Sequence, residues 1–357
     1  MRRELGMSLV LVLMCAGLYI SNPDFLGQSN VVNTTRQISM LGIFAMGMGF
    51  VIISGGIDLS IGSVIGLTGV LIAKISSTGM GCLGYPLWVG IPAALAAAVL
   101  VGLAQGLLIT RLKLQPFVVT LGGMLLVRGV SQTVAEGGTL SFGDSSFLDL
   151  ANGGLLRVGG DALIPYPLVI FLAVLAAGAY VLHFTVLGRY MYALGGNREA
   201  AEYSGIDVGK VEVLTYVISS ATGGIAGVCY ASYIGQMSQL VGMGYELYAI
   251  AGAVLGGCSL RGGEGSALGI LIGSAIMRVI DNGINMFQVR YVEGGVRRIW
   301  RLDPNWTFII IGTVILVAVV FDQVVHIVQG QRRARRADDA RAAAPRPIDA
   351  PPTADTG

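Results

Sequence analysis

Residues 37–76 read QISMLGIFAMGMGFVIISGGIDLSIGSVIGLTGVLIAKIS, in which a glycine-rich break, GGID, separates two apolar runs. Each run holds about 18 residues, and an α-helix of that length crosses most of the ~30 Å hydrocarbon core of a bilayer. The second run begins within the break itself. The pattern therefore predicts two membrane-spanning helices that form a broken or re-entrant unit.

The same alternation of long apolar runs and short polar breaks continues along the chain. Of 357 residues, 54% are hydrophobic and only 12% are charged, whereas soluble domains average about a quarter charged residues. We predict an all-α polytopic membrane protein with about ten transmembrane helices, some broken or re-entrant. The eighth is short for an ordinary crossing. The predicted spans are 5–21, 37–54, 59–76, 87–110, 116–135, 162–184, 212–235, 245–258, 266–287 and 304–321.

Lys and Arg in the polar breaks predict the orientation, because cytoplasmic loops carry an excess of these residues. With the N-terminus inside, the predicted crossings place fourteen basic residues in the cytoplasm and seven outside. This distribution favours an N-in, C-in topology. Four of the seven outside residues run against the rule as a cluster, namely Arg290, Arg297, Arg298 and Arg301.

The chain divides by composition into two regions. Residues 1–321 form the predicted transmembrane domain, and residues 322–357, rich in Arg, Ala, Pro and Asp, form a predicted disordered cytoplasmic tail that can touch anionic lipid. Residues 136–161 predict an external polar loop with a small helix of its own. The first span resembles a signal peptide, but no small-x-small cleavage site follows it, which favours an uncleaved helix.

Composition also excludes several classes of function. A net charge of +2 gives no basic surface for nucleic acid. The four cysteines occur singly, which predicts no metal site and no redox chemistry. No GxxxxGK[ST] motif occurs, so the chain has no P-loop with which to hold ATP phosphates. Energy for any transport then comes from an ion gradient, from a partner ATPase, or from neither.

The charged residues within the apolar runs include Arg128, Glu246, Arg278 and Asp281, and such groups are costly in a membrane and often functional. Arg278 and Asp281 are spaced i, i+3, so they share a helical face and can neutralise each other as a structural pair. Arg128 has no partner within a turn and either faces a polar cavity or pairs across helices.

The polar stretch 188–210 predicts a short surface helix. Residues 198–202 are good helix formers, Asn197 can cap their start, and Gly205 can end them. A rigid helix of two or three turns between glycine hinges on the inner surface has the form of a docking element, and an ordinary interfacial helix fits the pattern as well.

The sequence also contains a weak internal repeat of one glycine-rich pattern. GGIDLSIG at 55–62 and GGCSLRGG at 256–263 share the pattern GGxxLxxG, and each follows one apolar run and precedes another. Many transporters are built from two repeats that meet at the pathway. With 53 glycines in the chain, chance explains the match equally well.

Three stretches together resemble the ribose-type sugar ABC transporter permeases. They are GGIDLSIGS at 55–63, GRYMYALGGNREAAEYSG at 188–205 and GYELYAIAGAVLGGCSLRGGEGSALG at 244–269. TLGGM at 120–124, followed by Arg128-Gly129, fits the same family. The resemblance covers about residues 25 to 287 and resumes at the last span. A longer link than the family usually shows separates Gln288 from Asn305.

The resemblance implies a set of partners and a location. Such a permease pairs with a second copy in the bacterial cytoplasmic (inner) membrane. A cytoplasmic ABC ATPase binds ATP and Mg²⁺, so this chain itself binds no cofactor, and a periplasmic or lipid-anchored protein delivers a monosaccharide. The short helix is then the coupling helix seated in the ATPase, and the residues implied for that contact are Gly196, Asn197, Arg198, Glu199, Ala200, Ser204 and Gly205.

The cargo implied by the resemblance is uncharged, so its path needs neutral polar groups. The residues expected along the path and in its motifs are Gly55, Gly56, Asp58, Ser60, Ser63, Thr120, Arg128, Asn282 and Asn285, with Ser54 and Thr68. Asp58 can instead cap the start of the third span. The sugar stays open among ribose, xylose, arabinose, galactose and inositol.

Two other classes remain as alternatives to an ABC permease. An ion-coupled secondary carrier of small polar solutes fits the apolar spans, and it would transport without any ATPase. A membrane-embedded enzyme fits poorly, because the sequence has no HExxH motif and no paired intramembrane carboxylates. We therefore expect a transport subunit rather than an enzyme.

Overall fold

The structure is a computed structural model that describes residues 2–79, 81–143, 146–158, 161–238, 240–293, 296–301 and 303, with short pieces between 306 and 324. The fold lies in the unit Met1–Ile315, and the remaining residues form a separate unit. Eight of the eighteen residues of the predicted last span, 304–321, and nearly all of the predicted tail, 322–357, lie outside the described residues.

Within these residues the chain forms helices joined by short connections. Their bounds are α1 Arg2–Ser21, α2 Gln28–Ile53, α3 Ile61–Ser76, α4 Leu87–Arg111, α5 Pro116–Val134, α6 Asp149–Asn152, α7 Tyr166–Phe184, α8 Val186–Gly196, α9 Arg198–Tyr203, α10 Val208–Ile234, α11 Tyr245–Leu255 and α12 Ala267–Met286.

Seven of these helices are long and apolar enough to cross a membrane, namely α1, α2, α4, α5, α7, α10 and α12. Two further predicted spans, the third and the eighth, correspond to the shorter apolar helices α3 and α11. The prediction of a mostly helical, polytopic membrane protein is therefore confirmed. The broken or re-entrant spans and the N-in, C-in orientation stay predictions. The expected total of ten crossings stays a prediction.

The expectation of an all-α chain is wrong in detail, because three antiparallel pairs of short strands lie in the connections. β1 (Leu140–Ser141) pairs with β4 (Gln236–Met237), and β2 (Gly154–Val158) pairs with β3 (Asp161–Pro165). The long link after Gln288 forms the hairpin of β5 (Gln288–Glu293) and β6 (Val296–Arg301). Backbone groups without a helix find partners in these ladders.

The centre of the bundle is α2, whose residues from Ser39 to Ile53 are all buried. Small residues explain how three helices approach it. The Cα of Gly42 faces Phe171 of α7, Gly47 faces Thr222 of α10, and Gly49 faces Ile270 of α12. In lipid, where apolar surface alone does not draw helices together, such close packing holds a bundle.

The peripheral helices expose apolar side chains of the kind that lipid covers. Trp88 at the start of α4 is 76% exposed, and Leu126 of α5 is 67% exposed. Proteins in water rarely show so much contiguous apolar surface. These faces match the composition from which a membrane protein was predicted.

Two helices, α2 and α11, end in the same way. The Gly55 N–H bonds to Ile52 O and Gly56 N–H to Val51 O, and the corresponding bonds in α11 run from Gly257 to Val254 and from Cys258 to Ala253. Gly55 and Gly257 have φ values of +86° and +87°, which favour glycine. The weak repeat in the sequence therefore corresponds to a repeated helix end in the structure. Gly55 is structurally equivalent to Gly257, whereas the sequence pattern aligned it with Gly256.

The bundle has two ends that we name by their contents. The α9 end contains residues 111–116, 195–210 and 261–264, and the β end contains residues 136–165 and 235–238. Basic residues predicted to share the cytoplasmic side, Lys113, Arg198 and Arg261, line one cavity at the α9 end. At the β end, Lys74 pairs with Glu136 at 2.6 Å. The small helix expected within 136–161 is α6.

Candidate functional site

The three family-like motifs meet at one place, which we call the glycine junction: Gly55, Gly195, Gly262 and Gly263. The Gly263 N–H donates to Ile53 O at 2.8 Å. A methyl group on Gly262 would lie 2.8 Å from the Gly195 Cα and 2.9 Å from the Gly55 Cα, and one on Gly195 would overlap Ile53 O. Only glycine lets the ends of α2 and α8 and the α11–α12 loop approach so closely.

A side chain ties the same elements together next to the glycine junction. The Tyr192 hydroxyl of α8 donates to the Gly265 carbonyl at 2.8 Å. The α11–α12 loop is thus fixed to α8 by a hydrogen bond as well as by backbone packing.

Helix α9 follows the glycine junction directly and projects from the bundle. Asn197 caps it, accepting a hydrogen bond from the Ala200 N–H at 3.0 Å, and Gly205, with φ +80°, ends it. Both capping predictions are confirmed. The helix has only six residues, so the expected two or three turns was too long.

All seven residues predicted for coupling to an ATPase are exposed, in α9 or directly beside it. Ala201 is the buried residue that seats the helix on the bundle. The exposed set is Gly196, Asn197, Arg198, Glu199, Ala200, Ser204 and Gly205. Sequence reasoning missed Tyr203, an aromatic side chain that is 91% exposed. An aromatic residue among polar helix formers was the available signal.

An ion pair holds the start of α9 to α10. Arg198 Nη2 lies 2.8 Å from Glu212 Oε2, and the Glu212 side chain is 8% exposed. A carboxylate this shielded needs a partner. The pair spans fourteen residues and two helices, so nothing in the sequence spacing indicated it.

A cavity of about 850 Å³ opens beside this ion pair at the α9 end. Asp207 lies on its wall and caps α10, accepting from the Lys210 N–H at 3.1 Å. Its carboxylate also pairs with Lys210 Nζ at 2.8 Å, and these contacts lower the pKa of Asp207. The wall carries charges of both signs, which suits water or a neutral polar solute better than an ion. Of the predicted pathway residues, Ser54 and Gly55 line it.

The break between α2 and α3 is organised by Asp58, which is fully buried. Its Oδ1 accepts from the Ser60 N–H at 2.9 Å and the Ser60 hydroxyl at 2.7 Å, and its Oδ2 accepts from the Ser219 hydroxyl at 2.7 Å. The capping interpretation is partly right, because the carboxylate satisfies the N–H of Ser60, the residue at the start of α3, and also binds α10.

Two further polar groups complete this network. Thr120 Oγ1 of α5 lies 2.9 Å from Pro116 O of its own helix and 3.3 Å from Ile57 O, and Ser60 Oγ lies 3.1 Å from Gln105 Oε1 of α4. The structure thus brings Asp58, Ser60 and Thr120 together, and all three are fully buried. That they line a transport pathway stays a prediction. Gln105 and Ser219 were missed, since a single polar residue in an apolar run gives no sign of its partner.

The other predicted pathway residues are dispersed. Ser63 accepts from Arg128 Nη2 at 3.2 Å, so Arg128 pairs across helices. Asn282 exchanges hydrogen bonds with Asn30 at 2.9 and 3.2 Å, far along α12 from the break. Asn285 is exposed and bonds to Asp281 O. Neither asparagine joins the Asp58 network.

The predicted pair of Arg278 and Asp281 is present at 3.2 Å. The Arg278 guanidinium also donates to the Tyr230 hydroxyl at 2.9 Å and lies 5.1 Å from the centre of the Tyr248 ring. Cation–π contact and hydrogen bonds offset part of the cost of burying this charge, while Arg278 Nε has no hydrogen-bond partner among the described residues. Its role is to brace α12 against α10 and α11.

These features define the class of protein. A helical bundle with broken helices at its centre, buried polar networks at the breaks and a short exposed helix at one end has the architecture of a membrane transport protein. Among the described residues, no three His, Cys, Asp or Glu side chains are grouped so as to hold a metal ion.

Comparison with known proteins identifies the family. Residues 30–319 match a family described as branched-chain amino acid transport system / permease component. The ribose import permease protein RbsC of Haemophilus influenzae is 38% identical over 79% of this chain and 85% of its own length. The Escherichia coli K12 RbsC is 36% identical over 88% and 92%. The Escherichia coli K12 D-allose transport system permease protein AlsC is 33% identical over 90% and 91%.

The chain therefore belongs to the ribose-type family of ABC transporter permeases. This confirms the family that the motifs predict. It is a multi-pass protein of the inner membrane and a transport subunit, with ATP hydrolysis on a partner chain. No solved structure matches it.

Proposed function

We propose that this chain is the permease subunit of an ATP-driven importer for a neutral monosaccharide. The relatives named above are permeases for ribose and allose, which are neutral polyols. The observation that carries the proposal is the position of α9, which projects from the bundle and is joined through the glycine junction to the break that contains Asp58. A partner that moves α9 therefore acts on the intramembrane break.

The proposed partners are a cytoplasmic ABC ATPase, a binding protein on the opposite side and a second copy of this chain. The ATPase grips the exposed face of α9, where Glu199 and Tyr203 offer a charge and an aromatic anchor. ATP and Mg²⁺ are bound on that partner. The second copy and the surrounding lipid share the exposed apolar faces of the peripheral helices.

Alternating access then follows from the contacts at the α9 end. ATP-driven closure of the ATPase shifts α9, and the Arg198–Glu212 pair carries the shift to α10. The glycine junction carries it to α2 and to the α11–α12 loop. Because α10 contributes Ser219 to the Asp58 network, both routes converge on the break between α2 and α3.

Reconstitution of the full complex tests the proposal. Proteoliposomes with this chain, its ATPase and its binding protein are expected to accumulate ribose, allose or another neutral monosaccharide. We expect this uptake only when ATP is present on the side of the membrane where the ATPase is bound. Vesicles with this chain alone are expected to show no uptake under a proton or sodium gradient. Gradient-driven accumulation by the chain alone would instead identify an ion-coupled carrier.

A further inference from the structure

The two short helices, α3 and α11, begin side by side. A methyl group on Gly62, in the first turn of α3, would overlap the Glu246 carboxylate, in the first turn of α11, and the Gly242 carbonyl. The segment leading into α11 continues along α3, with Val241 O against Gly66 and Met237 against Gly69. The N-terminal ends of two discontinuous helices thus lie at one depth, an arrangement that transporters use at substrate sites.

That depth is inside the membrane. Helix α11 has eleven residues, so its first turn lies about 16 Å from the glycine junction at its other end. Arg128 lies twelve residues along α5 from Pro116 at the α9 end, or about 18 Å. Two independent helices therefore place the same region near the middle of the bilayer.

Two opposite charges flank the start of α3. Arg128 Nη2 donates to the Ser63 hydroxyl at 3.2 Å, which uses one of its five N–H groups. Arg128 and Glu246 both reach the first turn of α3, Arg128 at Ser63 and Glu246 at Gly62. Its Oε2 is shielded from solvent and accepts no hydrogen bond from the described residues. A carboxylate oxygen without a donor costs about 1–3 kcal/mol or more.

The surface around this pair is open and apolar. Nothing lies within 4 Å of where a methyl group on Gly129, next to Arg128, would be. Leu125 is 62% exposed and Met243 is 66% exposed. Lipid is a poor cover here, because an Arg at the bilayer centre costs about 2.5–3.5 kcal/mol even on lenient scales. A second copy of the chain on the other side of a polar path would cover Leu125 and Met243 and leave Arg128 in contact with water.

We propose that Arg128 and Glu246, with Ser63 as a positioning residue, form a sugar-binding subsite where α3, α5 and α11 meet, facing a path shared with a second copy. This rests on the proposed function and adds the groups that bind the cargo. The guanidinium donates to sugar oxygens through its fork of N–H groups, and the carboxylate accepts from a hydroxyl, so the pair binds adjacent hydroxyl groups of a neutral polyol.

The test is uptake by the reconstituted full complex of the sugar that the unmodified complex transports. Competition by each monodeoxy analogue of that sugar is measured alongside. Arg128→Gln and Glu246→Gln are each expected to lower uptake at least ~10-fold, the loss of one charge-assisted hydrogen bond. They are also expected to change the ranking of the deoxy analogues, because a hydroxyl whose partner is gone no longer contributes.

Matched controls and a milder variant complete the design. Arg36→Gln and Glu136→Gln remove charges near the β end, and uptake is expected to stay within about twofold of the original. A purely structural role predicts lower melting temperatures with an unchanged analogue ranking, and that result overturns the subsite. Should the glutamine variants not fold, Arg128→Lys is used instead, because lysine keeps the charge but lacks the planar set of guanidinium N–H donors. A changed ranking of the deoxy analogues with this variant supports the subsite, and an unchanged ranking overturns it. Failure of the unmodified complex to use ATP would overturn the proposed function instead.

Discussion

At the scale of single residues, backbone atoms make the packing contacts at the glycine junction that side chains usually make between helices. The glycine junction brings carbonyl and N–H groups of three segments together without any side chain between them. Backbone cannot move aside as the end of a flexible side chain can, so a single methyl group there acts as a wedge.

Neighbouring glycines allow a closely matched test of the junction. Gly195→Ala would push a methyl group onto Ile53 O and Gly263 N, whereas nothing lies within 4 Å of the corresponding position at Gly196. We expect Gly195→Ala to lower the melting temperature and to abolish transport coupled to ATP hydrolysis. Gly196→Ala should leave the melting temperature unchanged, because its methyl group meets no other atom of the chain. Equal melting temperatures of the two variants would contradict the role of the junction.

The buried carboxylate of Asp58 gives a second prediction at this scale. Asp58→Ala removes the acceptor of three hydrogen bonds, and each buried donor left without a partner costs about 1–3 kcal/mol. Asp58→Asn keeps one acceptor oxygen and should cost less. In detergent, the melting temperature is expected to be highest for the unmodified protein, lower for the Asn variant and lowest for the Ala variant. Equal melting temperatures of the two variants would contradict this explanation.

At the scale of elements, the six residues of α9 are too few to be helical alone. Its caps, the buried Ala201 and the Arg198–Glu212 pair hold it in place. This leaves the outer face free for a partner, since the contacts that fix the helix lie on its inner side.

Tyr203 provides the test of that outer face. Because its ring is 91% exposed, Tyr203→Ala removes no internal contact and should not change thermal stability. We expect the variant to bind the ATPase at least about tenfold more weakly, as the loss of an aromatic anchor does in other interfaces. Tyr180→Ala on α7, a tyrosine that is 63% exposed, is the control. Unchanged ATPase affinity in a pull-down titration would remove Tyr203 from the interface.

At the scale of the whole molecule, the apolar surface is unevenly distributed around the bundle. Helices α2 and α10 are buried, while α1, α4, α5 and α7 are mostly exposed. Of these, α5 also carries Arg128, so its face needs a cover other than lipid. Because of this asymmetry, we expect the proposed second copy on the α5 side of the bundle.

Cross-linking in membranes checks that assignment. In a background without Cys15, Cys82, Cys229 and Cys258, Leu125→Cys is expected to form a disulfide-linked dimer on oxidation. Trp88 on α4 is 76% exposed, and we expect it to face lipid. The Trp88→Cys variant should therefore stay monomeric. Dimers through residue 88 and none through residue 125 would place the second copy elsewhere. Migration on a non-reducing gel is the measurement.

The sequence predicted the spans and the caps because both are local properties. A hydrophobic run, or a cap such as Asn197 or Gly205, depends only on a few neighbouring residues. The structure has apolar helices at these runs and has both caps of α9. The pairing of Arg278 with Asp281 was predicted for the same reason. Contacts between distant segments could not be read in this way. Glu212 with Arg198, Ser219 with Asp58, and the register of Gly55 against Gly257 depend on how helices pack.

The tight meeting of backbone at residues 55, 195, 262 and 263 also bears on how this chain can change over generations. Where two side chains touch, growth of one can be offset by shrinkage of its neighbour. Here the opposing atoms are peptide groups, which cannot shrink. These four positions should therefore vary neither singly nor in compensating pairs among relatives, however far their cargoes diverge.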